Sequence, residues 1–224
     1  MLNTYLTTFK HLFSHPRNVV DGFIDGEKNK FYHPFFYCLI GITGVLILNS
    51  LLVDYSFTPQ LTDLDSDDEQ IQALAEWMEV ANIRASTQFL PLMLGLIFIP
   101  MLSLPGLYFF REELHSFYSN LVLNSYVIGS SMIALLPLIP VWIFVDLPLT
   151  DPLMNSTLPA ILVASVGLWI YKQYFLVSSL MGWVKILSSY ISGYVLFIIL
   201  KGFVAGVAGY MIFAVKRIME LSGT

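Results

Sequence analysis

Five stretches of the chain are almost purely apolar and long enough to cross a bilayer core of about 30 Å, which takes about 20 helical residues. They run from about Pro34 to Val53, Phe89 to Phe110, Leu121 to Val145, Leu158 to Leu176 and Val184 to Val215. The fifth would reach about 48 Å at 1.5 Å per residue. It is therefore tilted, or projects beyond the bilayer, or is two pieces. Lys201-Gly202 is its only candidate turn, and one long helix is the preferred reading. Ahead of the spans, Leu2, Tyr5, Leu6, Phe9, Leu12 and Phe13 recur at helical spacing, with Asn3, Thr4, Thr7, Lys10, His11 and Ser14 on the other face. That pattern predicts an amphipathic helix in the membrane interface. It would be either a lipid- or partner-sensing element or a pre-anchor packed under the bundle. Pro16 suits the first turn of a second helix, Val19, Val20, Phe23 and Ile24 form its stripe, and Gly26 stops it. The expected fold is an all-α membrane protein: a five-span transmembrane bundle with an N-terminal amphipathic interfacial helix. Residues 1–32 supply the interfacial part and 33–224 the bundle, with an acidic outer loop at 54–88.

Composition narrows the class. Of 224 residues, 56% are hydrophobic and 12% charged, against roughly 25% charged in a soluble domain. Disorder is excluded, and so few polar groups cannot cover a soluble surface. The single cysteine, Cys38, excludes an intrachain disulfide and a cysteine zinc site. A net charge of −5 gives no general attraction for nucleic acid.

Lys and Arg in short loops set orientation. Seven basic residues (Lys10, Arg17, Lys28, Lys30, Arg111, Lys172, Lys185) fall on the side carrying the N-terminus, and three (Arg84, Lys216, Arg217) on the other. The first side is expected to be cytoplasmic. The inner side then carries about +2 and the outer about −8. The basic pair Lys216-Arg217 conflicts with an outer C-terminus, and a hairpin in the fifth segment would remove the conflict. The first thirty residues lack the h-region and cleavage site of a signal peptide, so the first span is expected to act as an uncleaved anchor.

Candidate chemistry is thin. Asp63, Asp65 and Asp67 alternate as in a calcium loop, but the sixth and twelfth positions, Asp68 and Leu74, lack the required Gly and Glu. Ser66 and Glu69 instead read as a capping box, opening a helix with Ile71, Leu74, Met78 and Ala81 on one face. Lys201, a charge within a span, is either functional or snorkels to the interface. Gly202 and Gly206 form a GxxxG pair, extended by Ala205 and Gly209, for internal packing or a dimer. Asn49, Asn124, Ser130, Ser131, Ser188 and Ser192 are candidates for hydrogen bonds between helices. Prolines from Pro91 to Pro159 predict broken or kinked spans. His11 and His15, and Arg111 with His115, each lie four apart, yet no carboxylate pattern completes a metal site. No nucleophile elbow, phosphate loop or HExxH is present, so a non-catalytic protein without a cofactor is expected.

Three stretches, Thr8–Tyr37, Phe117–Pro140 and Ile170–Phe197, carry a resemblance. Pro16, Gly26, Tyr32, Pro34, Phe35, Tyr118 and Tyr174 are its matching positions. The chain resembles an uncharacterised bacterial family of polytopic inner-membrane proteins, often fronted by a cysteine zinc ribbon. The ribbon is absent here. Where relatives tend to show Glu-His and further histidines, this chain has Ser119-Asn120 and Asn124. The resemblance implies the multi-pass fold and a bacterial inner-membrane location and supplies no activity, the family having none assigned; the cytoplasmic N-terminus is the expectation from the charge count. The leading functional expectation is an accessory or scaffold subunit, partnered by the bilayer and by other membrane subunits or by itself, with no nucleic acid. An oligomeric transporter or channel for an ion or lipid comes second, a lipid-modifying enzyme third. Lys201, Gly202, Gly206, Asn124, Pro34, Tyr32, Arg111 and His115 are the candidate functional or packing residues.

Overall fold

The computed structural model describes residues 2–27, 30–52, 67–86, 88–114, 116–138 and 157–221. His115, Ser66, Pro140 and residues 54–66 of the acidic loop lie outside them. Among the described residues the chain is helical throughout. The helices are α1 (Leu2–Ser14), α2 (Pro16–Ile24), α3 (Pro34–Leu52), α4 (Asp67–Ser86), α5 (Leu90–Met93), α6 (Ile99–Phe109), α7 (Phe117–Leu135), α8 (Leu158–Tyr174) and α9 (Leu180–Leu221).

Local sequence sets the breaks. Pro16 and Pro34 are the first residues of α2 and α3, where the missing N–H costs nothing. At the end of α2, Gly26 takes φ +99°. The amides of Gly26 and Glu27 then reach back to Phe23 O at 3.3 Å and Gly22 O at 2.8 Å, the paired bonds of a glycine-closed helix end. Ser116 caps α7 by accepting from Ser119 N at 3.0 Å. Between α5 and α6 the helix widens to a π turn over Leu94–Phe98. Pro100 has no amide to offer Leu96 O, and Ile99 N bonds five residues back to Leu94 O. The prolines of the second span therefore bend one helix without breaking it.

Among the described residues two helices are long and apolar enough to cross a membrane: Leu90–Phe109, which runs through α5, the π turn and α6, and Leu180–Met219 in α9. Others fall short for visible reasons. The apolar run of α3 is Pro34–Leu48, α8 has 17 residues, and α7 carries four serines and two asparagines. The fifth segment is one unbroken helix of 42 residues, about 63 Å long.

Small residues let these helices approach closely. A Cβ on Gly129 would stand 2.6 Å from the Tyr37 ring and 3.0 Å from Cys38 Cα, so α3 and α7 meet nearly backbone to backbone. At Gly193 a Cβ would come 2.8 Å from Leu102 Cα, joining α9 to α6. One core cluster unites Leu12, Val20 and Phe23 with Tyr37, Tyr126, Tyr171 and Tyr174. The other gathers Cys38, Ile42, Phe98, Leu102, Met132 and Tyr190.

The N-terminal helices are tied to one end of this bundle by aromatic donors. Tyr126 donates to Tyr32 O at 2.6 Å, and Tyr32 N donates to Thr8 Oγ1 at 2.9 Å. Trp169 Nε1 donates to Phe13 O at 3.1 Å, and Tyr174 to Asp21 Oδ1 at 2.8 Å. Burial pushes the Tyr5 phenol well above its usual range. The α1–α2 pair is thus packed under the bundle.

At the other end, α4 lies along the distal half of α9. Its buried face is Ala73, Trp77, Val80 and Ala85, whereas Ile71 and Met78 are exposed. The expected stripe of Ile71, Leu74, Met78 and Ala81 is therefore rotated. The cause is the partner: a Cβ on Gly209 would stand 2.7 Å from Met78 Cα and 2.9 Å from Trp77 O, so α9 approaches the α4 backbone at Trp77–Met78 and the Trp77 side chain is buried beside it. Lys216 closes the contact, its Nζ 4.3 Å from the centre of the Trp77 ring.

Candidate functional site

Two places gather chemistry. The first is a polar seam inside the bundle, where α6, α7, α8 and α9 meet. Tyr171 donates to Asn124 Oδ1 at 2.7 Å, Asn124 Nδ2 donates to Ser103 Oγ at 2.9 Å, and Ser103 donates to Ile99 O at 2.7 Å. All three side chains are fully buried. Each donor in this chain has an acceptor, which is what a low-dielectric interior demands. Beside it, Asn120 Nδ2 donates to Ser116 O at 3.1 Å. Asn120 Oδ1 and Ser189 Oγ, both buried, have no hydrogen-bond partner among the described residues. Gly106 separates them: a side chain there would collide with Asn120 Oδ1 and stand 4.0 Å from Ser189 Oγ. The seam holds helices in register and offers one buried acceptor and one hydroxyl. No acid, base or nucleophile with an activating neighbour stands in it.

The second place is a cavity of about 480 Å³ between the π turn, α8 and α9, within the size range of small-molecule sites. Leu94, Phe98, Ala164, Tyr194 and Ile198 are among its walls, and Lys201 stands at one end. Tyr190 stands at the other end along α9, its hydroxyl donating to Val163 O at 3.3 Å. Lys201 is half-buried.

The remaining sequence candidates scatter. Gly202 is exposed, and a Cβ added there would meet nothing within 4 Å, while at Gly206 a Cβ would face the Met78 side chain at 3.2 Å. The small-residue seam thus runs through buried Ala205 and Gly209 and serves α4. Tyr32 acts through its backbone, and Pro34 is buried at the start of α3. Arg111 is exposed in the turn after α6. His115 lies outside the described residues. His11 Nδ1 bonds Thr7 O of its own helix at 2.8 Å. Among the described residues no group of three His, Cys, Asp or Glu side chains could hold a metal ion.

Of the polar positions flagged in the spans, Asn124 and Ser130 reach other helices, Ser130 lying 3.1 Å from the Tyr37 hydroxyl. Ser131 bonds back within α7, to Val127 O. Ser103, Tyr171 and Ser189 were not singled out by sequence, while Asn120 entered only as a departure from the resembled family. Only Ser103 carried a signal, sitting two residues before Pro105 where a kinked helix needs polar satisfaction. No family model matches the chain, and no curated protein and no solved structure matches it.

Proposed function

We propose that this protein is a five-span bacterial inner-membrane protein that serves as a non-catalytic accessory or scaffold subunit of a membrane assembly. The spans are α3, α5 through α6, α7, α8 and the proximal half of α9, with α1 and α2 on the cytoplasmic face. Lipid-facing apolarity supports the membrane placement: only 17% of the apolar window of α9 is buried, and Phe35, Leu39, Ile47, Ile161 and Ile191 are exposed on α3, α8 and α9. Soluble proteins rarely leave so continuous an apolar surface uncovered. An aromatic and basic belt at one end supports the orientation. Lys172 Nζ lies 5.7 Å from the Trp169 ring and 6.0 Å from the Trp183 ring, and exposed Tyr108 and Tyr118 share that end. The bacterial location rests on the family resemblance.

One observation carries the accessory role. The helix α9 is about twice the bilayer thickness, and its distal half, paired with the largely polar α4, still exposes Phe203, Tyr210, Met211, Val215, Ile218 and Met219. A face of this kind outside lipid is a subunit contact. The deciding measurement is the mass and composition of the complex, extracted in a mild copolymer at native expression. Stoichiometric foreign subunits are expected, and a lone monomer would sink the reading. A second reading, an oligomeric transporter for a lipid, rests on the cavity at Lys201. A clean homo-oligomer in the same measurement would favour it.

A further inference from the structure

We propose that the cavity beside Lys201 is a specific site for an anionic phospholipid of the outer leaflet, one acyl chain lying between the π turn, α8 and α9 and the phosphate meeting the Lys201 ammonium. The proposal rests on the membrane placement above, and is independent of the accessory role.

Three observations converge. The first is length. Along α9 the groove extends from Lys201 to Tyr190, eleven residues or about 16 Å, which is about half of a 30 Å hydrocarbon core. The second is depth. Leu180 opens α9 at the belt of Trp183 and Lys172. Tyr190 is then about 15 Å in, near the midplane, and Lys201 about 31 Å along, at the opposite interface. The charge seen in sequence as mid-span thus stands where a headgroup phosphate stands. Leu90 and Pro159, in the first turns of their own helices, also line the groove. The third is chemistry. The walls are apolar, with Lys201 the single charged residue among them, so the groove solvates an acyl chain and its mouth prefers a negative headgroup. The π turn shapes the wall: the widened backbone at Leu94–Phe98 sets Leu94 and Phe98 into the groove. Ala164, small and half-buried, leaves room on the α8 side.

The experiment is native mass spectrometry of the full chain released from nanodiscs of equal dioleoylphosphatidylglycerol and dioleoylphosphatidylcholine. Wild type should keep one phosphatidylglycerol through detergent exchange. Lys201→Met should lower that occupancy about fivefold, the share one interfacial cation supplies, and Lys201→Arg should restore it. Ala164→Phe fills the groove without touching the charge and should also release the lipid. Equal retention in wild type and Lys201→Met, or retention of phosphatidylcholine, overturns the proposal. Displacement of the phospholipid by added oleate at equimolar ratio overturns the choice of a two-chain lipid. Should the chain fail to enter nanodiscs at all, the membrane placement falls first, and flotation of native membranes reads that out separately.

Discussion

The Tyr171 hydroxyl donates to Asn124 Oδ1 at 2.7 Å, joining α8 to α7, and Asn124 passes the connection to Ser103 on α6. Three helices are pinned by two side-chain bonds at one level. Tyr171→Phe leaves Asn124 Oδ1 without its donor in a dry interior. The expected loss is about 1 kcal/mol, whereas Asn124→Ala, which leaves the Tyr171 hydroxyl without its acceptor and opens a void, should cost about 2–3 kcal/mol. A double-mutant cycle by detergent unfolding should show coupling between the two, and strictly additive losses would refute a shared network.

Gly209 and Gly202 sit seven residues apart on α9 in opposite circumstances. Gly209→Val drives a side chain into the α4 backbone and should cost about 1–3 kcal/mol, with faster proteolysis of α4. Gly202→Ala meets open space and should add a few tenths of a kcal/mol or more through helix propensity. Equal sensitivity at the two glycines would mean that Gly202 has a neighbour of its own.

Leu176 adopts φ 50° in the turn between α8 and α9, a conformation glycine reaches without strain. Leu176→Gly should therefore raise stability by about 1 kcal/mol, read as an increase in Tm in mild detergent. A fall in Tm would show that the exposed leucine contributes more as an interfacial anchor than its backbone costs.

Tyr126 is linked to α1 by a hydrogen-bond relay through Tyr32: its hydroxyl fixes Tyr32 O, and Tyr32 N fixes Thr8. Tyr126→Phe should speed amide exchange at Tyr32 and in α1 severalfold while leaving α7 unchanged. Uniform acceleration across the bundle would instead mark a general loss of packing.

Much of the helical order was legible because apolar run length and glycine or proline punctuation are local signals. The ends of α2, α3 and the second span follow from Pro16, Gly26, Pro34 and the 90–109 run for that reason. Faces were harder. On α4 the stripe of Ile71, Leu74, Met78 and Ala81 was displaced to Ala73, Trp77 and Val80, since the approach of Gly209 to the α4 backbone at Trp77 and Met78 sets the rotation and that partner lies over a hundred residues away. The polar seam was half visible. Asn124 was flagged, but Ser188 and Ser192 were named where Ser189 is the buried one. In a helix apolar all round, nothing in the local pattern fixes rotation to better than one residue, about 100°. Lys201 was legible as a charge in an apolar run, while its place on the wall of a cavity, eleven residues along α9 from Tyr190, required the packing of the π turn and α8.

That helix has no proline over its 42 residues, and it runs on as one α-helix through Ser192-Gly193, a pair at which helices kink. A rod packed on α6 over its first half and on α4 over its second is a lever that carries α4 with it. A tilt of about 10° in the first half swings the far tip by about 5 Å, given an arm of about 30 Å. Under the membrane placement proposed above, a change in bilayer thickness, or in what fills the groove beside Lys201, would be converted into movement at Met211 and Ile218, where a neighbouring subunit would feel it.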